Sequence, residues 1–160
     1  MKRLITILFT LLLTVQLSAQ KRYESAKRYN STKKYEAVKI ISTYASSIVL
    51  DAMGDGLNDS NHKNWGHLCN AASVGILLTS PFIIDYDKNK WGYYLTSYVA
   101  LRVALFDYTY NTTRDLPLNY IGNSSYWDKG MQKLNPPDTY MIRGVYFILG
   151  VAIPINLKKY

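Results

Sequence analysis

Residues 50–70 read LDAMGDGLNDSNHKNWGHLCN, and long apolar runs flank them on both sides. Within the stretch fall three of the chain's eleven acids (Asp51, Asp55, Asp59), both of its histidines (His62, His67) and Trp65. An apolar run, a polar run and a second apolar run predict two helices joined by a polar turn. Gly54 and Gly56 are expected to break the first of these helices. Polar side chains gathered where two apolar helices meet are where a site would form.

Four apolar segments cover most of the chain, at about residues 38–53, 67–84, 91–108 and 140–155. In the first, Tyr44, Ile48, Asp51 and Asp55 follow i, i+4, i+7, i+11, which sets both acids below an apolar stripe on one helix face. In the second, which ends near Pro81, Ala71 and Gly75 form a small-xxx-small pair that would let another helix approach closely. The third carries Arg102 near its centre. The fourth contains Gly144 and Gly150, with Pro154 near its end.

Each segment falls just short of the ~20 residues that cross a bilayer, and each includes polar residues. Aromatic residues cluster at the segment ends: Trp65, Trp91, Tyr93, Tyr94, Tyr108, Tyr110 and Tyr140. That distribution fits an interfacial belt. A water-soluble bundle of buried helices is the competing reading. Runs such as VYFILGVAI do not alternate as barrel strands do, so helices are expected rather than a β-barrel.

Composition narrows the class. Hydrophobic residues make up 48% and charged residues 19% of the 160, which demands a packed core or a membrane and excludes general disorder. The single cysteine, Cys69, rules out an intrachain disulfide and a cysteine-based metal site.

Residues 1–19 have the parts of a signal peptide: Lys2 and Arg3, an apolar run, and Leu17-Ser18-Ala19 before Gln20. Residues 21–38 then repeat with period six, KRYESA, KRYNST, KKYEAV. Lys21, Arg22, Lys27, Arg28, Lys33 and Lys34 give this arm the character of a contact for anionic lipid headgroups, at about 1 kcal/mol per basic residue near such a surface. A solvated, partly helical lead-in to the first apolar helix accounts for it equally well.

Loop charges pull against the signal. With four spans, the arm, Lys88, Lys90, Lys158 and Lys159 share one side, which the positive-inside rule places in the cytoplasm. A cleaved signal places the same arm outside. For an inner-membrane protein only one of the two holds.

Residues 109–139 form a connection long enough to require structure or function of its own. Ser125 to Asp128 resembles a capping box, a short helix is predicted over 128–134 with Trp127 beside it, and Asn135-Pro136-Pro137 is expected to stop that helix.

The candidate polar cluster is Asp51, Asp55, Asp59, His62, His67, Asn70 and Arg102. The aspartates could offer carboxylates to a cation, with a histidine as further ligand, and His67 and Asn70 are expected on one face. The spacing matches no established metal motif, and Asp, Asn and Gly are also ordinary loop material. No metal, cofactor or catalytic residue is therefore assigned. Arg102 in an apolar segment calls for a partner: Asp51, Asp55 or Asp107, the last poorly placed on the same helix. The alternative is an anion held by Arg102, Arg114 and Arg143. Phosphate loops, nucleophile elbows and nucleic-acid signatures are absent from the sequence, and no nucleic-acid partner is expected.

The runs LDAMGDGLND, WGHLCNAAS, LFDYTYN and YIGNSSYWD resemble a recurring pattern of small polytopic membrane proteins of bacteria and their phages. The resemblance spans most of residues 48–156. It implies helices in a membrane and carries no assigned activity.

The expectation is an all-α chain: a signal peptide (1–19), a basic arm (20–37) and a bundle of about four transmembrane helices (38–160). The function expected is non-catalytic, a structural or interaction role in a bacterial cell envelope. Its partners would be anionic lipids, another envelope protein or a second copy. The rival is a small membrane enzyme or lipid-headgroup binder built on the polar cluster.

Overall fold

The computed structural model describes residues 32–84, 86–122 and 126–156, and every extended regular element among them is a helix. In chain order these are α1 (Thr32–Asp59), α2 (Lys63–Ile83), α3 (Trp91–Thr113), α4 (Tyr126–Met131) and α5 (Pro136–Asn156), with a 3-10 turn at Lys88–Lys90. The segment expected to be a signal peptide (1–19) and Lys21, Arg22, Lys27 and Arg28 of the expected basic arm lie outside the described residues. Lys33 and Lys34 fall on the first turn of α1, their side chains outside the description.

The first helix corrects the sequence reading. It does not break at Gly54 or Gly56 but runs on to Asp59. The stop is Asn61, at φ 63°, where His62 N–H donates to the Leu57 carbonyl and Asn61 N–H to that of Asn58. This is a Schellman end with Asn in the left-handed position usually held by Gly. The end of α3 repeats it: Asp115 sits at φ 56°, with Leu116 N–H on the Asn111 carbonyl.

The short connecting helix begins and ends earlier than expected, at Tyr126–Met131 instead of 128–134. Pro136 and Pro137, expected only as a stop, open α5. Proline suits a first helical turn, where its missing N–H would find no partner anyway.

Contacts fix the directions. Ser47 on α1 meets Ser73 on α2 with their hydroxyls 3.0 Å apart, while Gly54 lies against Gly66, so α1 and α2 are antiparallel. Tyr44 packs edge-on against Tyr98 and Asp51 meets Arg102, so α1 and α3 run parallel. The Ser97 hydroxyl donates to the Gly150 carbonyl at 2.8 Å and Tyr108 stacks on Tyr140, so α5 returns antiparallel to α3. Helix α1 touches α2, α3 and α5, whereas α2 packs on no helix but α1 to a comparable extent.

The core lies at the α1–α3 seam, where Ile40, Tyr44, Ile48, Tyr94, Leu101 and Ile84 are buried together. Tyr94 is thus a core residue, not part of an outer aromatic belt. Trp65, Trp91, Tyr93 and Tyr140 do lie exposed at the bundle ends.

The outer helices bury the opposite of what an aqueous bundle buries. In α2 the buried residues are Gly66, Ser73 and Ser80, and in α5 they are Thr139, Arg143, Gly150 and Pro154. Most of their large apolar side chains point outward, among them Leu68, Val74, Leu78, Phe82, Met141 and Ile148, while Leu77 and Val151 pack on the core. Helices α2 and α5, of 21 residues each, are long and apolar enough to cross a membrane. Among the described residues α1 and α3 do not meet that measure.

Candidate functional site

Two parallel helices set a ladder of charged and aromatic side chains along one seam. On α1, Asp51, Asp55 and Asp59 recur every four residues. On α3 and its C-terminal cap, Arg102, Phe106, Tyr110 and Arg114 do the same, which places each set along one face. Down α3, the Arg102 guanidinium stands 4.3 Å from the Phe106 ring centre, Phe106 stacks on Tyr110, and Arg114 lies 5.4 Å over Tyr110. Guanidinium groups over ring faces gain from the ring quadrupole.

The acids of α1 meet this column at its two ends. Asp51 pairs with Arg102 at 2.5 Å. Asp59 accepts the Tyr110 hydroxyl and lies 3.7 Å from Arg114, which donates to the same hydroxyl at 2.7 Å. Asp55, the middle acid, faces no guanidinium. It accepts the Asn70 amide of α2 at 3.1 Å.

An open cleft of about 850 Å³ follows this ladder from Val99, above the middle of α3, down to Arg114. Asp55, Asn58 and Asp59 form one wall and Arg102, Phe106 and Tyr110 another, while Tyr120, Gly122 and Asp128 close in from the connection. That connection is pinned by Asn111, whose amide donates to the carbonyls of Leu118 and Tyr120.

The far flank of α3 carries a third ion pair. Arg143 of α5 donates to Asp107 at 2.6 Å and to the Leu118 carbonyl at 3.4 Å, and lies 4.8 Å from the Tyr108 ring. It is 1% exposed. Arg102, Arg114 and Arg143 are therefore each matched to a carboxylate and do not converge as an anion site.

Of the sequence cluster, the fold gathers Asp51, Asp55, Asp59, Asn70 and Arg102. It leaves His62 and His67 exposed at the turn. His67 is exposed one turn before Asn70, whose amide turns inward to donate to Asp55. Among the described residues no group of three or more His, Cys, Asp and Glu side chains could hold a metal ion. The serine hydroxyls of Ser47 and Ser73 bond to each other inside the α1–α2 contact.

Two features escaped the sequence reading. One is the column Arg102–Phe106–Tyr110–Arg114, legible in retrospect from its spacing of four. The other is the close approach of α1 and α2. Ala71 and Gly75 do not make it: both are exposed, and a Cβ added to Gly75 would meet nothing within 4 Å. Gly54 and Gly66 make it instead.

Comparison with protein-family models, curated proteins and solved structures finds no match.

Proposed function

We propose that this chain is a non-catalytic integral membrane protein of a bacterial cell envelope with a structural or interaction role. The observation that carries the reading is the inverted polarity of α2 and α5. Their fully buried residues are Gly, Ser, Thr, Pro and one paired Arg, with Leu77 and Val151 partly buried on the core, while most of their Leu, Val, Ile, Phe and Met side chains face outward. In water such an arrangement would leave most of the apolar area of these helices unburied, forfeiting about 25 cal/mol per Å². In lipid the outward face costs nothing, and small residues facing inward let helices associate by close packing.

On this reading all four long helices span the bilayer. Helices α1 and α3 carry the charges on the seam between them, where Asp51 and Asp59 are matched to Arg102 and Arg114. Residues 1–19 serve as a signal peptide and the basic arm rests on anionic headgroups. The likeness to small polytopic proteins of bacteria and their phages belongs to the same proposal. Its partner is the lipid itself, with a second copy or another envelope protein as lateral company. The spent hydrogen-bonding of Ser47, Ser73 and the three arginines favours this role over an enzyme.

The test is fractionation of cells producing the full chain, an alkaline carbonate wash of the membranes, and N-terminal sequencing of what stays behind. Retention after the wash is the expected result, with a chain beginning at Gln20. Release into the wash overturns membrane integration. A retained chain beginning at Met1 overturns the signal peptide and places the basic arm in the cytoplasm.

A further inference from the structure

The geometry points to the α1–α3 cleft as a binding site for an organic ammonium group, seated at Asp55. The ladder offers three carboxylates on α1 and two guanidinium groups on α3. Both guanidinium groups are taken by the outer acids, Asp51 and Asp59, at the distances given above. Asp55 stands between them, half-buried, opposite the Phe106 register where a third cation would complete the pattern. Its partner among the described residues is the neutral Asn70 amide. Asp55 opens onto the cleft, so a carboxylate held only by a neutral donor is presented to a cation there.

The surroundings select the kind of cation. With the ion-pair partners of its lining groups counted, five carboxylates (Asp51, Asp55, Asp59, Asp107, Asp128) and three guanidinium groups (Arg102, Arg114, Arg143) surround the cleft, so its field is negative although the whole chain carries a net charge of +8. An anion would meet arginines already neutralised. A bare divalent ion would want several converging ligands, and no group of three or more His, Cys, Asp and Glu side chains converges among the described residues. A cavity of about 850 Å³ with Val99, Val103 and Phe106 on its wall has room for a ligand with a carbon skeleton. An ammonium group on a small amine or on an aminophospholipid headgroup has this chemistry. The inference stands on the cleft alone and does not require that the helices lie in lipid.

The experiment uses the full chain purified in detergent, titrated by calorimetry with ethanolamine and, separately, with mixed micelles containing phosphatidylethanolamine. Sodium phosphate and phosphatidylglycerol micelles are the controls. Saturable binding is expected for an ammonium probe and not for the anionic ones. Asp55→Asn keeps the oxygen that accepts from Asn70 but removes the charge, and should weaken binding about tenfold or more, the size of a charge-assisted hydrogen bond. Asp55→Glu should restore part of it, and a thermal melt of each variant verifies folding. Phe106→Leu is the second variant and should weaken binding while leaving the carboxylate in place.

Binding of ethanolamine alone assigns a soluble amine, binding of the lipid micelles alone assigns a headgroup, and binding of both supports the shared chemistry. No saturable ammonium binding, or binding unchanged in folded Asp55→Asn, overturns the inference. So does tighter binding of phosphate than of ethanolamine.

Discussion

The side-chain oxygen of Asn58 on α1 occupies the place of a Cβ on Gly66 of α2, 2.1 Å from where that atom would stand. Asn70 on α2 does the same to Gly54 on α1, at 1.6 Å. Each helix thus carries a Gly with an Asn four residues on, and the antiparallel pair exchanges them around the 60–62 turn. Neither amide oxygen has a conventional donor. Each instead lies along the direction of a glycine Cα–H, a weak hydrogen bond that glycine alone can offer without a side chain in the way.

Alanine at either glycine should therefore be costly. A methyl group on Gly66 would also lie 2.7 Å from the Gly54 carbonyl, a backbone atom that cannot swing aside. Gly54→Ala and Gly66→Ala are each expected to lose about 2 kcal/mol, the usual cost of overpacking. Gly75→Ala, on the open face, should instead gain up to about 1 kcal/mol from helix propensity. Unfolding in mixed detergent–SDS micelles measures all three. Equal effects at Gly66 and Gly75 would refute the exchange.

Among the described residues Arg143 is the most deeply buried cation, and its two terminal nitrogens serve different acceptors, Asp107 and the Leu118 carbonyl. Arg143→Met should cost about 3 kcal/mol, because Asp107 is left charged without its partner. Arg143→Lys should recover less than half of that loss, since one ammonium cannot reproduce the forked geometry or the stacking on Tyr108. Adding Asp107→Asn to Arg143→Met should return part of it. A double-mutant cycle by the same unfolding assay gives the coupling, and additive losses would mean the pair contributes nothing.

The helices themselves were legible in the apolar runs, and all four long ones lie where those runs predict. Their ends were not. Gly54 and Gly56 read as breakers because glycine weakens an isolated helix, but here close packing offsets that cost: Gly54 on α2, and Gly56 against Thr113 of α3. The true stop, Asn61, carries only the weaker signal of a short polar residue that tolerates the left-handed region. Asp51 was among the partners that sequence allowed Arg102, but nothing local distinguished it from Asp55 or Asp107. That choice depends on the parallel register of α1 and α3, a tertiary quantity. His62 and His67 were grouped with the acids by nearness along the chain. The Schellman turn ends α1 before them and leaves both outside.

Acid should remove one local contribution at the α2–α3 turn. The Asp87 carboxylate accepts the Asn89 backbone N–H at 3.0 Å and has Lys90 3.3 Å away, and these, the hydrogen bond first, hold it below the usual carboxylate range. A folded value below the unfolded one means the deprotonated form favours folding. The contribution is full above about pH 4 and fades as pH falls through the lowered folded value. Asp87→Ala should melt below the wild type at pH 7, and the two melting temperatures should converge in acid below pH ~3. A gap that widens in acid would reverse the assignment.

A single lysine on the outer face of α2 distinguishes lipid from water around the bundle. Val74 lies one residue from the midpoint of Lys63–Ile83, is 53% exposed and faces away from α1. If that face meets lipid, Val74→Lys puts an ammonium about 15 Å from either helix end, too far for full escape to the headgroups. The cost at such a depth is about 3 kcal/mol. The variant should accordingly show a lower carbonate-resistant fraction than wild type at equal synthesis. If that face meets water, an exposed Val→Lys change alters stability by less than about 0.5 kcal/mol and improves solubility. Phe82→Lys, at the end of the same face and 85% exposed, is the internal control. Its ammonium reaches the interface by snorkelling, so in lipid it should be tolerated where Val74→Lys is not. Equal tolerance of both variants would remove α2 from the bilayer.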